Sequence, residues 1–287
     1  MADLIQPVQQ GEQLLQDIYS THDGNEPHFY LWWLGQSGFL LQWRGRHVLI
    51  DPYLSNSLTK KYADTDKPHV RMTAIPIRPR YLNFIDVVTS SHNHTDHLDA
   101  ETLMPILRQN PSIEMVIPEA NRAFVVNRLH CDPDFPIGLN AGACANLHPF
   151  TITGIPAAHN EIERDERGFC KFLGYVFEFG PWVIYHSGDT LWREEIIEAL
   201  SAYNIDVAIL PINGNKPERR VAGNLNPREA AEMGKTIGAR RVIPCHYHMF
   251  TFNTEDPANF VREAERVGQA YDVLECGERW SSERLDA

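Results

Sequence analysis

The groups most able to do chemistry lie together in Ser91-His92-Asn93-His94-Thr95-Asp96-His97-Leu98-Asp99. Three histidines and an aspartate fall within six positions, spaced H-x-H-x-D-H. Imidazole and carboxylate together suit borderline cations such as zinc, manganese and iron. A strand-like run, Phe84-Ile85-Asp86-Val87-Val88-Thr89, precedes the motif, and a helix-like segment from Asp99 to Asn110 follows it. The four polar side chains therefore belong to a tight turn at a strand end. A turn can aim His92 and His94 at one cation and Asp96 and His97 at a second. One helix face could not, because its neighbours lie three and four positions apart.

Four more candidates follow predicted strands. Asp51 follows Val48-Leu49-Ile50, and His159 follows the strand near Ile152–Ile155. Asp189 follows Val183–Tyr185, and His246 follows Val242-Ile243-Pro244. Strand ends that face one edge of a sandwich would bring these residues to the histidine turn. The elements needed for this are legible. From Phe29 the pattern is β, with turns at Gly35-Gln36-Ser37-Gly38 and Arg44-Gly45-Arg46. Residues 52–83, with several prolines and scattered charges, read as a long loop, and such loops are often functional. Asp99 is a fair N-cap for a helix that Pro105 should delay or kink. Further helices are expected over Asn121–Leu129, Leu191–Leu200, from Asn226 to Gly238 and from Asp256 to Gly268, with Tyr271–Leu274 as the last strand. Hairpins followed by β-α alternation, twice over, suggest two packed sheets with helices outside.

In order and spacing, Asp51, the motif at 92–97, His159, Asp189 and His246 resemble the metallo-β-lactamase superfamily. The resemblance implies an α/β fold, a four-layer αβ/βα sandwich. It implies one cation on His92, His94 and His159, a second on Asp96, His97 and His246, and Asp189 bridging them. Asp51 would support the histidine turn rather than bind metal. Leu31-Trp32-Trp33-Leu34-Gly35, Tyr185-His186-Ser187-Gly188-Asp189 and Val242-Ile243-Pro244-Cys245-His246 resemble L-ascorbate-6-phosphate lactonases. The histidine motif, Pro211-Ile212 and Pro227-Arg228-Glu229-Ala230-Ala231 resemble N-acyl-phosphatidylethanolamine phospholipases D. The expected activity is a dinuclear metal-dependent hydrolase, with a lactonase first and a phosphodiesterase as the alternative.

The expected cofactors are two divalent ions, zinc or manganese. Two cations about 3.5–4 Å apart can share a hydroxide and lower the pKa of its parent water towards roughly 7. Asp96 would orient that nucleophile and carry its proton. Ser187 beside His186 resembles a nucleophile pair, but adjacent residues on a strand point to opposite faces. His186 and His248 could assist the reaction or touch substrate, with His248 on the same side as His246 if that segment is extended. Asn213 and Asn215 could hydrogen-bond substrate, and Lys216, Arg219 and Arg220 could meet a phosphate. Cys245 and the pair Trp32-Trp33 read as packing.

The chain has 287 residues and a net charge of −12. That balance argues against nucleic acid and anionic membranes as partners and leaves a small-molecule substrate. An anionic substrate would need a local basic pocket, because the global field opposes it. No run of 18 apolar residues is present, so no membrane span is expected, and the start lacks the features of a signal peptide. Five cysteines without a C-x-x-C pair fit reduced thiols in a cytoplasm. Residues 1–28 read as an N-terminal appendage to a hydrolase domain over 29–287. Its Leu14, Leu15 and Ile18 would pack on that domain or on a partner, so a homo-oligomer is expected.

Overall fold

The computed structural model describes residues 3–21 and 27–286; the remaining residues of the expected appendage, and Ala287, lie outside the described residues. The chain opens with α1 (Glu12–Tyr19), then β1 (Tyr30–Gly35), β2 (Gly38–Trp43) and β3 (Arg46–Ile50). A long segment holding the short α2 (Ser57–Lys61) leads to β4 (Val87–Thr89), α3 (Ala100–Gln109), β5 (Glu114–Pro118), α4 (Arg122–Leu129) and β6 (Pro136–Leu139). The second half runs β7 (Cys144–Leu147), β8 (Phe150–Pro156), β9 (Leu173–Phe179), β10 (Trp182–His186), α5 (Glu194–Leu200) and β11 (Val207–Pro211). It closes with α6 (Pro227–Thr236), β12 (Arg241–Cys245), α7 (Pro257–Val267) and β13 (Arg279–Ser281).

Two sheets form, in the orders β13-β1-β2-β3-β4-β5-β6 and β12-β11-β10-β9-β8-β7. In the first, β13, β1, β2 and β3 pair antiparallel, and β3, β4, β5 and β6 pair parallel. In the second, β7, β8, β9 and β10 pair antiparallel, and β10, β11 and β12 pair parallel. The parallel strands in each sheet all end towards the same edge, and that is where the candidate residues gather. Strands buried on both faces need apolar residues throughout rather than in alternation. Tyr30-Leu31-Trp32-Trp33-Leu34-Gly35 is of this kind, buried at every position. Leu31 and Trp33 join Phe39, Tyr175 and Phe177 between the sheets, while Trp32 and Leu34 face the layer of α1, α3 and α4. Helices α5, α6 and α7 cover the second sheet through Ile196, Met233 and Phe260. The result is the expected four-layer αβ/βα sandwich.

Helix α1 packs on the first sheet through Leu14 and Ile18, and Asp17 accepts a hydrogen bond from Trp32 Nε1 at 2.8 Å. Asp99 caps α3, which runs through Pro105 without the delayed start expected there. A full capping box between Asn226 and Glu229 starts α6. Tyr271–Leu274 is not a strand: it forms one bridge, Tyr271 with Val242. The next donor along β12 would be the amide of Pro244, which has no N–H, so the ladder stops. Arg279–Ser281 is the last strand instead.

Candidate functional site

Seven of the candidate side chains converge from four strand ends. His92, His94, Asp96 and His97 follow β4, His159 follows β8, Asp189 follows β10 and His246 follows β12. His92, His94 and His159 can each offer a donor atom within 4.8 Å of the others, and so can Asp96, His97 and His246. Asp189 lies between the two groups. Its Oδ1 is 3.3 Å from His97 Nε2, and its Oδ2 is 3.4 Å from both His159 Nε2 and His246 Nε2.

Neighbouring groups fix which nitrogen each imidazole turns inward. Asp51, in a left-handed conformation just past β3, sits 2.6 Å from His97 Nδ1. The same carboxylate takes the amide N–H of Ser91 at 2.9 Å and the Ser91 hydroxyl. With that hydroxyl committed as a donor, Ser91 Oγ accepts from His92 Nδ1 at 3.0 Å. One carboxylate therefore orients an imidazole from each group. His159 donates Nδ1–H to Gly223 O at 2.8 Å, which leaves its Nε2 for the cluster. Partners of this kind fix tautomer and ring angle at metal sites.

Burial, reinforced by the imidazoles of His97 and His94, pushes His92 well below the usual histidine range. His94, whose ring stays open to the cavity, is brought down to about 4 by partial desolvation among its neighbours and by the adjacent His159. Burial lowers His159 as well. These three are neutral at pH 7 and can offer lone pairs. Burial opposes charge on His97, but Asp189 and Asp96 outweigh it and raise this histidine well above its ordinary value. Burial likewise opposes ionisation of Asp189, yet His246, His97 and His159 hold it well below the carboxylate range. Burial and the charge of Asp189 oppose ionisation of Asp96, but His97, His246 and the Gln36 hydrogen bond hold it below its usual value too, so two carboxylates stay ionised against a ring of imidazoles. Among the described residues, His92 Nε2, His97 Nε2 and Asp189 Oδ1 are buried without a hydrogen-bond partner. Buried polar atoms left without a partner at the centre of such a set are what a cation would satisfy. The donor set fits divalent metal.

Two residues outside the expected set complete this centre. Gln36, in the turn between β1 and β2, donates Nε2–H to Asp96 Oδ2 at 2.8 Å and lies 3.0 Å from His246 Nε2. Its carbonyl accepts from His246 N and from Trp33 Nε1, both at 3.0 Å, which ties the two sheets together at the edge. Like the other members, Gln36 follows an apolar strand, but nothing local in the sequence marks its contacts with Asp96 and His246. Arg128 of α4 donates to Asn93 O and Leu98 O and so grips the histidine turn from both sides.

A cavity of about 600 Å³ opens over the centre and is lined by His94, Asp96, His159, Asp189 and His246. Lys61, Lys67, Arg128 and Arg220 also line it, as do Tyr62, His69, Phe250 and Asn253. Several other candidates stand away from the cavity lining. His248 is absent from the lining, because His246 and His248 both take positive φ, so the segment is not extended and the side chains do not share a face. His186 is buried and saturated: Nε2–H donates to Ser37 O, and Nδ1 accepts from Gly188 N. It braces the turn that carries Asp189. Asn213 is buried too, donating to Asn253 Oδ1 and accepting from Asn224 Nδ2, so that Asn253 reaches the cavity in its place. Ser187 Oγ donates to Gly188 O rather than to a histidine. Arg219 bonds the backbone of Asn213 and Thr254, and Lys216 pairs with Glu255. Of the three expected phosphate contacts, Arg220 lines the cavity.

Residues 46–247 match the family described as the beta-lactamase superfamily domain. The chain belongs to that superfamily. A metal-dependent hydrolase of Caldivirga maquilingensis is 30% identical over 238 residues, covering 80% of this chain and 87% of the relative. The mitochondrial N-acyl-phosphatidylethanolamine-hydrolyzing phospholipase D of Saccharomyces cerevisiae is 25% identical over 278 residues, covering 92% of this chain and 58% of the relative. Among solved structures, a metallo hydrolase of the archaeon Ignicoccus hospitalis superposes with a TM-score of 0.64 at 24% identity, covering 88% of this chain and 98% of that one. That likeness speaks for the shared fold.

Proposed function

We propose that this chain is a metal-dependent hydrolase. His92, His94 and His159 would hold one divalent cation, Asp96, His97 and His246 a second, and Asp189 would bridge them. What supports this most is the set of buried, unpartnered atoms at the meeting point of the two groups: His92 Nε2, His97 Nε2 and Asp189 Oδ1. The Caldivirga relative, named a metal-dependent hydrolase, supports the same reading. Nitrogen and oxygen ligands without thiolate suit zinc or manganese.

When bound, such cations supply Lewis acidity and lower the pKa of water. The chain's residues do the rest. Asp51 and Ser91 hold His97 and His92 in register. Gln36 fixes the Asp96 carboxylate, which orients the attacking water and accepts its proton. The cationic lining admits a negatively charged substrate that the net charge of −12 would otherwise repel.

The substrate reading is a small anionic ester. The motif resemblance to L-ascorbate-6-phosphate lactonases supports a lactone with an anionic arm. The yeast relative, named for hydrolysing a phospholipid, supports a phosphodiester. A cytoplasmic setting fits the five free cysteines, and no helix among the described residues is long and apolar enough to cross a membrane. The deciding experiment measures metal content together with turnover of a panel of sugar-acid lactones and of bis-4-nitrophenyl phosphate. Two equivalents of metal and turnover in one ester class, abolished by Asp96→Asn, are expected. Metal-free protein, or no turnover in either class, would refute the reading.

A further inference from the structure

The segment between β3 and β4 is pinned beside the last stretch of the cavity wall. The buried Arg71 guanidinium donates to Asn56 Oδ1, Ser55 O and Thr73 O. Met72 N donates to Met249 O at 2.8 Å, and Thr251 N to Val70 O at 3.0 Å. These bonds carry His69 into the cavity that His94, Asp96 and His246 also line.

The His69 ring is held from every side but one. Its Nδ1 lies 2.9 Å from Lys67 O, and a carbonyl only accepts, so Nδ1 carries a proton. Tyr62 stacks on it at 4.3 Å, and Phe252 and Phe250 meet it edge-on at 4.5 and 5.0 Å. No described residue hydrogen-bonds Nε2. An imidazole kept for packing alone would need no open nitrogen beside a reaction centre, whereas a group pre-aimed at substrate would. Among the lining residues, His69 is the imidazole left outside the candidate metal groups.

We propose that His69 is the proton donor to the leaving-group oxygen of the hydrolysed ester. The proposal rests on the hydrolase reading above. Water oxygen bonds to the acyl or phosphoryl centre, and the bond from that centre to the ester oxygen breaks, leaving its electron pair on that oxygen. His69 gives this oxygen the Nε2 proton of its imidazolium form, and the neutral ring left behind, still protonated at Nδ1, regains a proton from solvent. The surplus proton of the attacking water leaves through Asp96. Burial lowers the pKa of His69 below the usual histidine value, as Lys61 and Lys67 also do, while the carbonyl of Lys67 and the charge of Asp96 oppose them. At pH 7 the imidazolium is thus the minor form of His69 but a stronger proton donor.

The test compares wild type, His69→Gln and His69→Asn on aryl acetates and aryl methyl phosphates whose leaving phenols run from 4-nitrophenol to phenol. A positioned proton donor contributes about 10²-fold or more where the leaving group is poor, and only a few-fold where it is acidic. The variants should therefore lose roughly 10²-fold on phenyl substrates and about threefold on 4-nitrophenyl ones, with metal content unchanged. Uniform loss along the series, or none, overturns the proposal. In wild type the solvent deuterium isotope effect on kcat/KM should grow as the leaving phenol becomes less acidic. A flat effect overturns the proposal even if both variants fail to fold. Wild type inactive on both series refutes the hydrolase reading, and this proposal with it.

Discussion

The carboxylate of Asp51 lies 2.6 Å from His97 Nδ1, and through the Ser91 hydroxyl it also sets His92. One side chain at the end of β3 thereby aims a nitrogen into each half of the proposed metal centre. Replacing Asp51 by asparagine keeps the size but removes the charge and one acceptor. Loss of such an orienting partner weakens metal binding about 10–100-fold. Asp51→Asn should lose metal in a chelator competition that wild type survives, with its far-UV circular dichroism unchanged. His248→Ala, altered outside the cavity lining, should retain metal like wild type. Equal metal affinity in Asp51→Asn and wild type would remove Asp51 from this role.

The metal-site candidates were readable because each chemical residue follows an apolar strand, and strand order alone brings such ends to one edge. Less was readable where a role depends on a distant contact. Gln36 meets Asp96 and His246 from 60 and 210 positions away, and no local pattern reports that. His69 sits in a segment whose course is set by Arg71 bonds rather than by periodicity. Strands β6 and β7 were missed because Pro-Ile-Gly-Leu and Cys-Ala-Asn-Leu lack a run of branched or aromatic residues. The expectation for His248 failed because it assumed extended backbone at residues with positive φ.

Arg128 holds the histidine turn through Asn93 O at 3.2 Å and Leu98 O at 3.1 Å, and it packs over the Phe124 ring at 4.4 Å. Arg128→Met keeps the stem and removes the donors. Hydrogen bonds from a charged group contribute about 1.5–3 kcal/mol, and partial exposure here argues for the low end. In a chain of this size that lowers Tm by roughly 3–6 °C. Calorimetry of the metal-free protein would measure it without interference from bound ions. An unchanged Tm would mean that the turn keeps its shape without Arg128.

Metal removal should destabilise the fold, because His97 and Asp189 are buried and charged beside the partly buried Asp96. A ligand that binds only the native state stabilises it by about 2.7 kcal/mol at a hundred times its Kd. Treatment with a strong chelator should therefore lower Tm by several degrees, and zinc or manganese should restore it. The same additions should leave Tm of an Asp189→Asn, His246→Asn double variant little changed. A Tm indifferent to chelator in wild type would argue that the centre binds no metal.

Lys61 ends α2 at the cavity, over the Tyr62 ring at 5.1 Å, and no carboxylate pairs with it among the described residues. Its charge is therefore available to an incoming anion. Lys61→Glu changes the local charge by two units without touching the candidate metal residues. At low salt kcat/KM for an anionic ester should fall on the order of three- to tenfold, through KM, as expected for weakened steering. The deficit should shrink as ionic strength rises, because the Debye length falls from about 30 Å at 0.01 M to about 3 Å at 1 M. A neutral ester of similar size should show almost no change at any salt concentration. Stopped assays across a salt series with one charged and one neutral substrate decide the matter. An equal loss on both, independent of salt, would mean that Lys61 shapes the cavity rather than attracting the substrate.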